Sequence, residues 1–173
     1  MRTFDELEAA WTSGPKAPVG SGSVRLIVLR RGDGEHEVAS RAELSPEHGL
    51  HGDRWDHGPR RSLERQLTLM DVRVATLVAD DRPLHLPGDN FLVDLDLSRD
   101  TAPAGTRLKL GTAVVEVSAV PHTGCKKFKA RFGEDALRWV NDPANPNRRL
   151  RGINCRIVEA GAVWVGDAVQ VLR

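Results

Sequence analysis

Cys125 sits in the run Pro121-His122-Thr123-Gly124-Cys125-Lys126-Lys127-Phe128, a single thiol set between a glycine and two lysines. A free cysteine titrates near ~8.5, and adjacent cations favour its thiolate, the form that attacks electrophiles, carries sulfane sulfur or binds a soft metal. Gly124 has no Cβ, so a ligand can approach the backbone beside the thiol. Most free cysteines end up buried and structural, but a charged run does not belong in a core. His122, just ahead of the thiol, is a candidate proton donor or acceptor for it.

Cys155 makes the contrast. In Gly152-Ile153-Asn154-Cys155-Arg156-Ile157-Val158, alternation puts Ile153, Cys155 and Ile157 on one strand face, opposite Asn154 and Arg156. Cys155 therefore reads as a small core residue. With no CxxC pair, the two cysteines give neither a disulfide framework nor a zinc knuckle, and a reducing intracellular setting fits them best. His48, His51 and His57 match no established zinc-ligand spacing.

The elements that must position these residues follow from length and patterning. A chain of 173 residues suits one domain with a substantial core. Lysine and arginine total 25 against 24 acidic residues, and this net charge of +1 makes no case for nucleic acid or a membrane surface as partner. No stretch approaches the apolar length of a membrane span, and the start Met1-Arg2-Thr3-Phe4 lacks a signal peptide's apolar segment. The expectation is a soluble, cytoplasmic protein acting on a small molecule. Thr3 followed by Glu6 is a capping-box pattern that predicts a helix over 3–12, with Leu7, Ala10 and Trp11 as its apolar stripe. The glycines, prolines and serines of 13–22 read as a linker, making 1–22 an appendage to a main body at 23–173. Strands are expected over 23–31 (Val24, Leu26 and Val28 on one face), 37–41, 66–70, 90–97, 106–110, 113–120, 153–159 and 168–172. Residues 109–113 and 159–163 look like tight hairpins. Asp71 can cap a helix bearing Val74, Leu77 and Val78, and 133–141 carries Ala136, Leu137 and Val140 at helical spacing. Asp94, Asp96 and Asp100 are expected to face water. Many short strands with tight turns predict a mainly β fold, a closed or nearly closed barrel with few helices.

The ordered set Gly49-Leu50-His51-Gly52-Asp53-Arg54, Arg65-Gln66-Leu67-Thr68-Leu69-Met70, Pro87-Gly88-Asp89-Asn90-Phe91, Gly124-Cys125-Lys126-Lys127-Phe128 with Arg131-Phe132-Gly133, Arg151-Gly152-Ile153, and Gly161 through Val169 resembles the MOSC domain, the molybdenum-cofactor sulfurase carboxy-terminal domain family, over about residues 23–172. The resemblance implies a mostly antiparallel β-barrel with peripheral helices, a reactive cysteine at Cys125, and association with the molybdenum cofactor or with sulfur transfer. The sequence has no pyridoxal-phosphate lysine motif and no ferredoxin-like CxxxxCxxC segment. Sulfane sulfur or electrons would therefore come from a donor protein.

A pterin–molybdenum cofactor is anionic through its phosphate and, in some classes, takes one soft protein thiolate on the metal. Cys125 suits the thiolate role. Arg54, Lys126, Lys127, Arg131, Arg149 and Arg151 are candidates for the phosphate and pterin, the arginines because a guanidinium fork meets two oxygens at once. Asp89 and Asn90 offer a carboxylate and an amide to a polar ring edge, although Gly-Asp-Asn suits a turn equally well. His51 and Asp53 are expected to line the same pocket, walled by residues 49–54, 88–90, 124–131 and 149–152. Arg60, Arg61 and Arg148 read as solvated surface. Three functions fit: a molybdenum-cofactor oxidoreductase component that reduces N-hydroxylated compounds with Cys125 on the metal, a persulfide carrier delivering sulfur to a metal centre, or a non-catalytic binding module.

Overall fold

The computed structural model describes residues 1–59 and 61–172. Its elements in chain order are α1 (Phe4–Ser13), β1 (Ser21–Arg30), β2 (His36–Ala39), β3 (Arg41–Ser45), β4 (Gly49–Leu50), β5 (Leu67–Asp71), α2 (Val72–Ala79), β6 (Phe91–Asp94), β7 (Arg107–Leu110), β8 (Ala113–Pro121), α3 (Lys126–Val140), β9 (Ile153–Glu159), β10 (Gly161–Trp164) and β11 (Ala168–Leu172). Among the described residues, seven strands close a ring in the order β11, β7, β8, β9, β5, β6, β1 and back to β11. All neighbours in the ring run antiparallel except β5 and β6, whose parallel pairing uses α2 as the crossover. Closure satisfies both edges of the sheet, so the barrel expected from the strand pattern is the one formed.

The barrel is filled by alternate side chains, among them Ile27, Leu69, Phe91, Val115, Cys155 and Val169. Ile153, Cys155 and Ile157 share its interior, as their alternation predicts. Strand β1 departs from simple alternation. Its pairing with β6 shifts between Val24 and Leu26, a bulge that sends Val24 into the barrel and Leu26 out toward the helices, so the two do not share a face.

A second, smaller core lies outside the barrel, where Leu7, Met70, Val74, Phe128, Phe132 and Trp139 pack together. The capping box at Thr3 and Glu6 forms as expected. The N-terminal helix is not an appendage, however: Leu7 is buried, and the Glu8 carboxylate accepts from Trp139 Nε1 at 3.0 Å and Arg148 Nη1 at 2.8 Å. A helix of ten residues is marginal alone and gains its stability from this docking. Arg148 is thereby a paired residue, and Arg61, stacked 4.7 Å over Trp55 and 3.2 Å from Asp56, is another. Arg60 lies outside the described residues. The supposed linker is also engaged, since Ser21 and Gly22 pair with β11 and Asp96 N donates to Pro18 O.

Further departures matter for the site. The turn at 109–113 is a hairpin, whereas 159–163 is a corner: β10 leaves β9 and pairs with β3, against a backbone so close that a Cβ on Gly161 would lie 2.4 Å from Ala113 N. Asp94 pairs with Arg73 at 2.6 Å and Asp96 accepts from Ser98 and Thr101, so neither simply faces water. The helix expected at 133–141 begins at Lys126 and kinks at Gly133, whose φ of 87° interrupts it. Phe128 and Phe132, one turn apart with rings 4.7 Å from each other, anchor the unexpected first half.

Candidate functional site

That earlier start puts Cys125 at the N-cap of α3, exposed, with φ −122° and ψ −179°. Its side chain makes no regular capping hydrogen bond, but the amides of Phe128 and Lys127 face it. Partial burial pushes the thiol up, and those two amides, the Arg151 guanidinium and the Lys127 ammonium together bring it below an ordinary thiol. The helix end thus does more for the thiolate than the lysines from which the sequence argued. Lys126 is exposed and is not among the main groups acting on the thiol.

Behind Cys125, Arg151 stacks 5.1 Å over Phe128 and donates from Nη1 to Asp89 Oδ2 at 2.5 Å and from Nη2 to Pro87 O at 3.2 Å. Burial pushes Asp89 up and the Arg151 guanidinium opposes it, leaving the carboxyl above its usual range. His122 is held well below an ordinary imidazole by burial and by Arg151, Arg30 and Arg65, so it is neutral at pH 7. Its Nδ1 lies 3.4 Å from Asp89 Oδ1 without hydrogen-bond geometry, and with a neutral ring this contact is no ion pair. Asp89 Oδ1, His122 Nδ1 and Arg151 Nε are all buried without a partner.

Arg54 flanks the thiol. Its backbone N donates to Arg30 O at 2.7 Å, while its exposed side chain makes no hydrogen bond or ion pair among the described residues. Burial and repulsion from Arg30 and Arg131 pull its guanidinium down, against the support of Asp53 and the Cys125 thiolate. Arg131 donates from Nη1 to Leu86 O at 2.8 Å. Gly88, with φ +80°, leaves room for His36, whose ring would be 2.8 Å from any Cβ placed there. Burial pulls the His36 imidazole down and its hydrogen bond to the His85 carbonyl at 2.9 Å opposes this, while the charges of Arg131, His85 and Arg54 add to the lowering. Cys125, Lys127, Arg54, Arg131, Asp89, His122 and Arg151 are thus brought together, with Arg30 and His36 added by the structure.

The other candidates go elsewhere. Asp53 is fully buried and accepts from Arg30 N at 2.7 Å, Arg30 Nη2 at 2.8 Å, Trp55 N at 3.1 Å and Asn90 Nδ2 at 3.1 Å. Asn90 also donates to Val28 O and accepts from Thr68 N, which uses its amide completely. Both are struts inside the fold, with their polar groups already spent. His51 lies on the outer sheet beside Ser45, Glu43 and His48. Arg149 lines a separate cleft with Arg99. Arg30 and the helix amides escaped sequence reasoning; the signal for Arg30 was Asp53 itself, an acid in an apolar setting that needs a cation.

The protein is thus a closed, mixed β-barrel that presents one exposed thiol close to guanidinium groups. The chain belongs to the MOSC domain family, whose model matches residues 68–170, and that family is associated with molybdenum-cofactor binding. Its fold is similar to that of the YuaD protein from Bacillus subtilis, with a TM-score of 0.64 at 16% identity, covering 90% of this chain and 98% of that one. It is similar also to YiiM from Escherichia coli, with a TM-score of 0.59 at 18% identity over 87% of this chain and 70% of that one. YiiM from Geobacillus stearothermophilus gives 0.53 at 15% identity over 92% and 76%. No curated protein matches the sequence. Among the described residues, no helix is long and apolar enough to cross a membrane.

Proposed function

We propose that this protein binds the molybdenum cofactor in the recess around Cys125, with the Cys125 thiolate as protein ligand to the metal, and works as an oxidoreductase component that reduces N-hydroxylated compounds. The observation that carries the binding reading is the exposed, acidified thiol at the N-terminus of α3 beside the unpaired guanidinium of Arg54. The donor set fits such a group: a soft thiolate for the metal, and Arg54, Arg131 and Lys127 for an anionic phosphate. The orphaned Nε of Arg151 is a further donor of the kind an anion satisfies. When bound, the cofactor supplies a redox-active metal. The amides of Lys127 and Phe128 hold charge on Sγ, Arg151 is fixed by Asp89, and His122, neutral at pH 7, can carry a proton at either ring nitrogen. The N-hydroxylated substrate class rests on the family resemblance, and the electrons are assigned to a donor protein.

A second reading, a persulfide held on Cys125 for delivery to a metal centre, is favoured by the exposure of the same sulfur. Cyanide-labile sulfur on metal-free protein after treatment with a cysteine desulfurase would support it over the first.

Arg54→Ala tests the recess itself. Loss of one charge-assisted contact should weaken cofactor binding by about 1.5–3 kcal/mol. Its solvent-facing side chain makes no internal bond, so stability should move by less than about 0.5 kcal/mol. Cofactor affinity equal to wild type in low salt would remove Arg54 from the site.

A further inference from the structure

His122 has a second neighbourhood. Besides facing Asp89, it lines a cleft of about 170 Å³ that includes none of Cys125, Arg54, Arg131 or Arg151. The cleft is bounded by the end of β8, the C-terminal turn of α3 and residues 149–150 and 152–154. Its walls are polar and apolar in about equal part, with Val120, Trp139, Leu150 and Ile153 on the apolar side and Ser118, Asn141 and Asn154 on the polar side. A volume of ~150 Å³ is enough for one benzene ring, which sets the size of occupant.

Two arginines line this cleft, and neither Arg99 nor Arg149 forms an ion pair among the described residues. Arg149 Nη1 donates to Ala102 O at 2.5 Å and Arg99 Nε donates to Pro146 O at 3.3 Å, which leaves other N–H groups on each fork. Asp142 is the one carboxylate of the lining among the described residues, and its oxygens are turned to Ala144 N at 3.0 Å and Asn145 Nδ2 at 2.7 Å rather than to either arginine. Arg149 also holds φ +48°, a left-handed conformation unfavourable for a bulky side chain. Burial and the field of Arg99 pull its guanidinium down, as expected of two like charges near each other.

We propose that this cleft is a second binding site, separate from Cys125, for a small organic anion: one carboxylate or phosphate group held by Arg99 and Arg149, on an apolar body of about one ring. The guanidinium forks meet two oxygens of such a headgroup, and the apolar part of the wall, Val120 with Val140 and Pro143, receives the ring.

The test is an amide NMR titration of the whole protein with benzoate and phenyl phosphate, against benzamide and inorganic phosphate. Saturable shifts confined to residues around the cleft are expected for at least one ring-bearing anion, and whichever binds more tightly identifies the headgroup. Benzamide and inorganic phosphate should each bind at least about tenfold more weakly, lacking the charge or the apolar body. Arg149→Asn, chosen because asparagine tolerates the left-handed backbone, should weaken the favoured anion at least about tenfold. Arg99→Ala should do the same and is the variant to use if Arg149→Asn does not fold. No saturable binding of either ring-bearing anion at millimolar concentration would overturn the proposal. So would benzamide or inorganic phosphate binding as well as they do, or a folded variant with wild-type affinity.

Discussion

Asp53→Ala is expected to lower the stability of the protein by about 3–5 kcal/mol, the cost of leaving a buried charge without its partner. The Asp53 side chain is fully buried and that of Arg30 is 12% exposed, so the guanidinium left behind stays largely shielded from water. The same substitution orphans Trp55 N and one Asn90 amide proton, and Asn90 is the pin that joins β1 to β5. Denaturant titration reads the loss directly, and a change below about 1 kcal/mol would contradict a structural role for Asp53. The pH dependence has a defined sign. Burial pushes the Asp53 carboxyl up, but Arg30 and the backbone amides outweigh it and hold the group below its usual range. Its contribution is therefore present above the unfolded value of ~3.9 and lost as pH falls through the lower folded value. Asp89, raised in the fold, acts in the opposite direction, so the Asp53 share is the difference between wild type and variant.

The two thiols should differ in reactivity by at least a factor of about 10³. Cys155 has no exposed surface, and burial pushes its thiol far up, so a reagent reaches it only when the barrel opens. Opening a core strand costs up to the global stability, typically about 5–15 kcal/mol. Cys125 needs no opening. Its alkylation by iodoacetamide should show a pH midpoint below the ~8.5 of a free cysteine. Because the helix amides carry most of that effect, Lys126→Ala should leave the midpoint in place and Lys127→Ala should raise it modestly. Faster labelling of Cys155, or a Cys125 midpoint at or above ~8.5, would contradict this assignment of the thiolate.

The barrel was legible because its signal is local: alternation in 153–157 and the turn at Lys109 to Ala113 are properties of neighbouring residues. What depends on distant pairing was not. The bulge after Val24 is imposed by β6, and the corner at Gly161 by β3 and the backbone at Ala113, so neither leaves a mark in its own segment. The start of α3 was missed because Gly133 interrupts its periodicity, and its first half is held by the packing of Phe128 and Phe132 against another core. Motif order placed Cys125, Arg54, Asp89, Arg131 and Arg151 near one another, yet it could not separate wall from strut. Asp53 and Asn90 carry polar groups suited to a ligand, and only their hydrogen bonds show that those groups are already spent.

Molybdenum and pterin content, measured on wild type and Cys125→Ala purified side by side from a host that makes the cofactor, bears most directly on the role of Cys125. Wild type should carry both, and Cys125→Ala should lose both while unfolding at nearly the wild-type denaturant concentration, since an exposed thiol at a helix end buries little apolar surface. Wild type free of molybdenum and pterin, or a variant that retains them at wild-type levels, would contradict the assignment of Cys125 as the cofactor's ligand.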